Sequence, residues 1–228
     1  WAYPAKLKYK RKLVVDLLQK AHLSHLEVAP TVGMDEPRHY RNKAQVPARE
    51  YQGQLTTGFF RRGSHNFIPL EDYEIQDPRI DEVILTVRDI LREFNVPAYN
   101  EEKHTGVIRN VMVRRGHYSG EVMVVLITRT KKLKGAAEIS AKIQEQCPDV
   151  VSVQQNINPE QTNVILGKTT KVMRGRNYIQ DQLNGLTFNI SAQSFYQVNP
   201  VQTEKLYARA VELADLHGDE TVIDAYCG

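Results

Sequence analysis

The chain has 228 residues, of which 41% are hydrophobic and 25% are charged, and this is the composition of a globular protein with one large or two small domains. Its formal net charge of +3 is compatible with an RNA partner but too small to imply one. The two cysteines, Cys147 and Cys227, lack any paired spacing, which argues against a disulfide framework and favours a reducing compartment. No apolar run is long enough to span a membrane, so we expect a cytoplasmic protein without a membrane partner.

The first part of the chain predicts a helix and a connection. Pro4 suits a first helical turn, and a sparse apolar stripe continues as far as Ala21. Prolines and a glycine follow over residues 27–38, which predicts a connecting segment. We expect residues 1–38 to form these two parts, with the helix packing on the domain that begins at residue 186 rather than on the central one.

Short strands and two helices are predicted between residues 39 and 185. Apolar residues at helical spacing predict one helix from Ile80 to Phe94 and another over 135–146. Segments rich in β-branched and aromatic residues, separated by turn residues, predict strands at 42–49, 54–60, 66–69, 107–114, 121–128, 150–156, 163–166, 170–174 and 177–182. We expect an α+β central domain with a mostly antiparallel sheet.

A different pattern begins near residue 185. It predicts a strand at 186–190, a helix from Thr203 to Leu216 and an apolar strand over 221–224, followed by a glycine. Helix, buried strand and glycine turn are typical of the opening of a doubly wound α/β domain. We therefore expect residues 186–228 to be the truncated start of a Rossmann-like domain, and the chain to be an internal fragment of a longer protein.

Two short motifs in this last part are candidates for ligand binding. The final residues, Asp224 to Gly228, follow a buried-type strand, where a glycine lets the backbone approach a ligand; a plain strand end with a turn is the alternative. In the second motif, Phe195, Gln197 and Asn199 alternate, so they would share one face of an extended segment. An amide can pair with the imide edge of a uracil and an aromatic ring can stack on a base. The alternative, which is compatible with the first, is a helix start capped by Asn199.

Taken together and in this order, the two motifs and the helix containing Tyr207 resemble the RNA uracil-5-methyltransferase family. The resemblance extends upstream to three segments: 40–43, 58–65 and 75–78. It is strongest to the enzymes that act on 23S ribosomal RNA, in particular the Gram-positive bacterial type. The domain starting at residue 186 is then the start of a methyltransferase domain that binds S-adenosylmethionine.

The resemblance also implies roles for individual residues. Phe195, Gln197 and Asn199 bind the substrate uracil. The residues implied to bind the cofactor are Gln197, Tyr207, Asp224, Tyr226, Cys227 and Gly228. In this family a cysteine thiolate adds to C6 of the uracil, the methyl group is transferred to C5, and a carboxylate removes the C5 proton. Both residues are expected beyond Gly228, so no catalytic residue is assigned here and the fragment alone is expected to be inactive.

Basic residues next to aromatic side chains in the central domain are candidates for RNA contacts. They are Arg41, Lys43, Arg61, Arg62 and His65. A solvated surface is the alternative for any one of them, whereas as a group they favour RNA.

Tyr73 stands where several members of the family have a cysteine ligand of an iron–sulfur cluster, and phenol does not replace thiolate there. We expect no cluster and no other metal. The leading function is thus methylation of C5 of a uridine in 23S ribosomal RNA by a monomer. The alternatives are a tRNA uracil-5-methyltransferase and a non-catalytic RNA-binding module.

Overall fold

The computed structural model describes residues 2–225, which form two compact units that divide between Arg38 and His39. The first unit contains helix α1 (Tyr3–Lys20), whose first turn includes Pro4. The connection that follows runs back along this helix. Thr31 Oγ1 donates to the carbonyl of Leu7 at 3.0 Å, and the backbone N–H of Met34 donates to the Tyr3 hydroxyl at 2.8 Å. The predicted helix and connection are confirmed, and the packing of this helix on another domain stays a prediction.

Within residues 39–225, the second unit contains a seven-stranded sheet, a two-stranded hairpin and three helices. In chain order they are β1 (Lys43–Tyr51), β2 (Gln54–Phe60), β3 (Phe67–Pro69), α2 (Pro78–Glu93), β4 (Ile108–Arg115), β5 (Val122–Thr128), α3 (Ala136–Gln146), β6 (Val150–Ile157), β7 (Thr169–Gly175), β8 (Tyr178–Leu183), β9 (Leu186–Ser191) and α4 (Pro200–Ala214). The order in the sheet is β3-β2-β1-β4-β5-β6-β7, and only the pair β5 and β6 is parallel. The prediction of an α+β fold with a mostly antiparallel sheet is confirmed.

Helices α2 and α3 cover one face of the sheet. Asp77 caps α2 by accepting the backbone N–H of Arg79 at 2.9 Å, and Pro78 occupies the first turn, where its missing N–H costs no helical hydrogen bond. The apolar side chains of α2, such as Val87 and Leu91, are fully buried against the sheet. We call this side of the sheet the helix face; its burial of apolar surface stabilises the unit.

The opposite face of the sheet is only partly covered. The hairpin β8–β9 places Ile179 and Ile190 against Met112 and Met123 of the central strands. These side chains form a second, smaller apolar core. We call this side of the sheet the hairpin face. Its uncovered part lies toward β1 and β2.

The strand predicted at 163–166 is wrong, because these residues are irregular. Their carbonyl groups bond to side chains instead of a neighbouring strand. Asn158 Nδ2 donates to the carbonyls of Val164 at 2.6 Å and Ile165 at 3.1 Å. Just before the segment, the carbonyl of Thr162 accepts Arg109 Nη2 at 2.9 Å. Buried polar side chains thus take the acceptors that a sheet ladder would use.

The last part of the second unit differs from its sequence-based prediction in one element. Strand β9 and helix α4 form as expected, but residues 221–224 do not form a strand. A strand needs a partner for its backbone groups, and no strand of the described residues runs beside this segment. The boundary predicted at 185 lies in the turn between β8 and β9, which pair from Tyr178 and Ser191 to Leu183 and Leu186. As a domain boundary it stays a prediction.

Among residues 2–225, no helix combines the length and the apolar composition that crossing a membrane requires.

Candidate functional site

The candidate site is built around residues 192–199, the irregular segment that joins β9 to α4; we call it the linking segment. Asn42, just before β1, holds this segment through its backbone. Its N–H donates to the carbonyl of Val198 at 3.1 Å, and its Nδ2 donates to that of Gln197 at 3.1 Å. Asn42 is itself fixed, because its carbonyl accepts the N–H of Arg115 in β4 at 2.9 Å. The central sheet therefore positions the linking segment by direct hydrogen bonds.

Arg114 in β4 holds the other end of the linking segment. Only 5% of this residue is exposed, and its Nη2 donates to the carbonyls of Ser194 at 2.5 Å and Ala192 at 3.5 Å. Among the described residues no carboxylate pairs with it. Burial without a counter-charge lowers the pKa of Arg114 to about 10. Backbone carbonyls accept the hydrogen bonds of Nη2, whereas the buried Nε has no partner among the described residues.

Further positive charge lies beside Arg114. Lys43 is its register partner on β1, so the two side chains are neighbours on the same face of the sheet. Burial, followed by the charges of Arg114 and Arg41, lowers the pKa of Lys43. Arg41 Nε donates to the carbonyl of Lys43 at 2.9 Å. Within residues 2–225 none of the three cations has a carboxylate partner, so the local field favours an anion.

The predicted substrate residues have different environments within the linking segment. Phe195 is 85% exposed, whereas its neighbour Tyr196 packs inward on the smaller core. Gln197 is half-buried. Because the segment is irregular, the strict alternation of an extended strand is not formed.

Asn199 begins α4, as the helix-start alternative predicts. Its Oδ1 accepts the N–H of Gln202 at 3.1 Å, and its carbonyl accepts Thr203 Oγ1 at 2.7 Å. Pro200 occupies the first turn. The helix cap is confirmed, and the role of Asn199 in a uracil pocket stays a prediction.

Helix α4 is tied to two hairpins near its start. Glu204 accepts the Tyr118 hydroxyl at 2.5 Å through Oε2 and the N–H of Asn184 at 3.2 Å through Oε1. Asp181 in β8 in turn accepts the N–H groups of His117 and Tyr118, each at 2.9 Å. The position of α4 is therefore set by side chains from the turn between β4 and β5 and from the hairpin β8–β9.

The predicted cofactor residues are only partly described. Tyr207 lies on α4 and is 41% exposed, and Asp224 is exposed. Tyr226, Cys227 and Gly228 lie outside the described residues. The meeting of these residues with the linking segment stays a prediction.

The predicted RNA-binding residues fall into two groups. Arg41 and Lys43 lie beside Arg114, at the linking segment. Arg61, Arg62 and His65 are exposed in the loop between β2 and β3.

Tyr73 packs its ring edge-on against Phe59, with centroids 5.1 Å apart, and so contributes to the core on the helix face. Burial, with a smaller effect from Asp81, raises the pKa of its hydroxyl. No group of three or more histidine, cysteine, aspartate or glutamate residues within 2–225 could hold a metal ion. The absence of a cluster in the complete protein stays a prediction.

Sequence reasoning missed the roles of Asn42 and Arg114. The available signal for Arg114 was its place in a strand that also carries Val111, Met112 and Val113. All these side chains are buried in β4, so an arginine in this strand must find acceptors nearby. Asn42 gave no local signal, because its partners are about 155 residues away in sequence.

Relatives match almost the whole chain. A protein of Lactiplantibacillus plantarum named uncharacterized RNA methyltransferase is 58% identical over 226 residues, which are 99% of this chain and 50% of that protein. Proteins of the same name from Enterococcus faecalis and Streptococcus mutans are 51% and 50% identical and match 100% and 99% of this chain. The chain spans about half the length of these curated relatives, 50% in each case. No family model matches the chain.

A solved structure has the same fold. The tRNA (uracil-54, C5)-methyltransferase of Pyrococcus abyssi, in complex with S-adenosyl-L-homocysteine, matches with a TM-score of 0.74 and 21% identity. The match covers 92% of this chain and 48% of the archaeal one. Over nearly all its residues, the chain is thus similar to one half of proteins that carry the name RNA methyltransferase.

Proposed function

We propose that this chain is the part of an RNA uracil-5-methyltransferase that holds the target uridine, and that the complete protein methylates C5 of a uridine in 23S ribosomal RNA. The observation that carries this proposal is the linking segment, whose backbone is fixed by Asn42 and Arg114 while Phe195 stays exposed. The names of relatives that match nearly the whole chain support an RNA methyltransferase.

The geometry of the linking segment suits the recognition of a base turned out of its RNA helix. The exposed ring of Phe195 offers a face for stacking, and the Gln197 amide has both a donor and an acceptor for the imide edge of uracil. Asn42 bonds to the backbone of Gln197 rather than to its side chain, which leaves the amide for the base. A binding group on a fixed backbone loses less conformational entropy when the substrate binds.

Positive charge beside this segment suits the RNA backbone. Lys43 and Arg41 have no carboxylate partner among the described residues, so a phosphate would relieve their mutual repulsion with Arg114. Arg61, Arg62 and His65 extend the proposed RNA contacts to a second loop.

S-adenosylmethionine, when bound, supplies the methyl group. Tyr207 and Asp224, together with Tyr226 to Gly228, are the residues proposed to hold it. Both described residues fit this role, because the exposed Asp224 carboxylate can accept hydrogen bonds from ribose hydroxyls or an ammonium group, and the Tyr207 ring is half-exposed.

The described residues of this chain contribute binding and orientation rather than the covalent chemistry. Cys147 is 1% exposed, and burial raises the pKa of its thiol, so it does not act as a nucleophile. The thiolate and the base are proposed to lie in the remainder of the complete protein. We further propose a cytoplasmic monomer without an iron–sulfur cluster.

Methyl transfer by the complete gene product tests this proposal. Purified protein and labelled S-adenosylmethionine are incubated with separate 23S ribosomal RNA and tRNA transcripts, and nucleosides are identified by mass spectrometry. We expect 5-methyluridine in the ribosomal transcript alone. Methylation of the tRNA alone would overturn the substrate assignment, and no methylation of either would favour the non-catalytic RNA-binding module.

A matched pair of glutamines tests the linking segment in the same assay. Gln197→Ala is expected to lower kcat/KM about 10- to 100-fold, the effect of losing a paired hydrogen-bond contact to a base. Gln193→Ala is the control, since its exposed side chain bonds to Gly167 and Thr170 on the protein itself. Equal effects of the two substitutions would contradict the role of Gln197.

A further inference from the structure

A separate cleft opens on the uncovered part of the hairpin face, at the meeting of β1, β4, the β2–β3 loop and residues 162–165. Its volume is about 280 Å³. This is slightly below the range of pockets for drug-sized ligands, roughly 300–1,000 Å³, so it suits one planar group. We propose that this cleft binds an unpaired base of the RNA, separate from the target uridine; this proposal rests on the proposed RNA-binding function.

Asn110 at the floor of the cleft is the residue that points to a ligand. It is 8% exposed, and among residues 2–225 its carboxamide has no hydrogen-bond partner. The amide lines the open cleft, so its donor and its acceptor are both available to a ligand there. A nucleobase edge offers a donor beside an acceptor and would satisfy both ends of this amide.

Flat side chains form the walls around Asn110. Phe60 and His65 lie on the side of β2 and the β2–β3 loop, and Pro47 is the register partner of Asn110 on β1. Phe60 is held in place by Phe67, whose ring centroid lies 5.7 Å away. Stacking on such surfaces binds unpaired bases with little dependence on sequence.

Two arginines at the side of the cleft are already occupied by protein groups. Arg49 lies over the rings of Phe60 at 5.3 Å and Tyr99 at 5.8 Å, and its Nη1 donates to the carbonyls of Ala48 and Arg109. Arg109 lies over Tyr99 at 4.6 Å and donates to carbonyls of residues 158–162. They build the wall of the cleft rather than supply free donors.

The charge of the cleft favours a neutral base over a phosphate. Arg49 Nη2 lies 3.8 Å from a carboxylate oxygen of Glu101, so its positive charge is offset at the rim. Arg61 and Arg62 are exposed on the same loop as His65 and are placed to meet the phosphates outside.

Direct RNA binding by the full chain tests this inference without depending on methyl transfer. The probes are a short fluorescent single-stranded RNA and a duplex of the same length, measured by anisotropy at one fixed salt concentration. Wild type is expected to prefer the single strand. Asn110→Ala and Phe60→Ala are each expected to weaken single-strand binding about tenfold and to leave duplex binding unchanged. Asn189→Ala, on an exposed strand of the β8–β9 hairpin, is the matched control.

Thermal unfolding separates this role from a structural one. Asn110→Ala is expected to keep the wild-type Tm, because the amide that it removes has no hydrogen-bond partner among the described residues. Loss of Tm in parallel with affinity would overturn the base-binding role, as would unchanged single-strand affinity in both variants. Absence of any RNA binding by the wild-type chain would overturn both this inference and the RNA-binding part of the proposed function. If RNA binds but the Asn110 and Phe60 variants bind it as tightly as wild type, only the base-binding role of the cleft is overturned.

Discussion

The two faces of the central sheet differ in the chemistry of what they bury. The helix face buries side chains such as Val83, Val87 and Leu91, which have no polar atoms to satisfy. The hairpin face buries Arg109, Asn110 and Arg114 together with its smaller apolar core. Apolar burial stabilises without direction, whereas a hydrogen bond fixes the place of its partner, as those of Arg109 and Arg114 do for the backbone carbonyls that accept them. The helix face therefore supplies stability, and the hairpin face fixes the loops that are proposed to bind RNA.

The largest effect on the free energy of unfolding is expected for a substitution on the helix face. Leu91→Ala removes a fully buried side chain between α2 and the sheet and should lower the free energy of unfolding by about 2–5 kcal/mol. Denaturant unfolding followed by circular dichroism measures this. Under conditions where the variant is folded, its RNA affinity should equal that of wild type. A selective loss of RNA binding in the folded variant would contradict the assignment of stability to the helix face and of RNA binding to the hairpin face.

A smaller effect, confined to the linking segment, is expected when Arg114, the buried cation of the hairpin face, is replaced. Arg114→Met leaves the carbonyls of Ala192 and Ser194 without their donor and should loosen the linking segment. Hydrogen exchange should rise at residues 192–198. Arg115→Met is the control, because Arg115 pairs with Asp77 at 2.6 Å instead. Equal exchange in both variants would show that Arg114 does not hold the segment.

Asp81 is the exception on the helix face, because its carboxylate lies largely buried in the first turn of α2. Burial raises its pKa to about 6. A raised carboxyl pKa means that the folded state favours the protonated form. The associated stability is full below the unfolded pKa of roughly 4 and is lost as pH rises through about 6.

Asp81→Asn should therefore raise the free energy of unfolding at pH 7, by roughly 1–3 kcal/mol, and should change it little at pH 4. The Asn oxygen can still accept the N–H of Tyr73, which Asp81 accepts at 3.2 Å. Denaturant unfolding at both pH values measures the difference. A variant less stable than wild type at pH 7 would show that the charged carboxylate has a favourable partner.

The smallest effect on stability is expected for the exposed cations of the β2–β3 loop. Replacing Arg61 and Arg62 together by Ala should change the free energy of unfolding by less than about 0.5 kcal/mol. It should instead reduce the salt dependence of RNA binding, with a slope of log K against log salt smaller by about 1–2. An unchanged slope would show that Arg61 and Arg62 do not contact the RNA phosphates.

Local patterns predicted most elements because their cause is local. The helix from Ile80 to Phe94 and the strands at 54–60 and 150–156 follow from the spacing of apolar residues, and each forms within about two residues of its predicted bounds. The strands predicted at 163–166 and 221–224 do not form, because pairing depends on partners that no local pattern reveals. For the same reason the roles of Asn42 and Arg114 were not predicted, since their acceptors lie in the distant linking segment. The cap at Asn199 was predictable, since its acceptor and donor are three residues apart.

Crosslinking of the target uridine tests the central claim most directly. The complete gene product is bound to a transcript in which 4-thiouridine replaces the uridine to be methylated, and is irradiated, digested and mapped by mass spectrometry. We predict that the crosslinked peptide contains Phe195 and Gln197, and that Arg114→Met lowers its yield. A target uridine that crosslinks only to other parts of the protein, such as the loop of Arg61 to His65, would contradict the account.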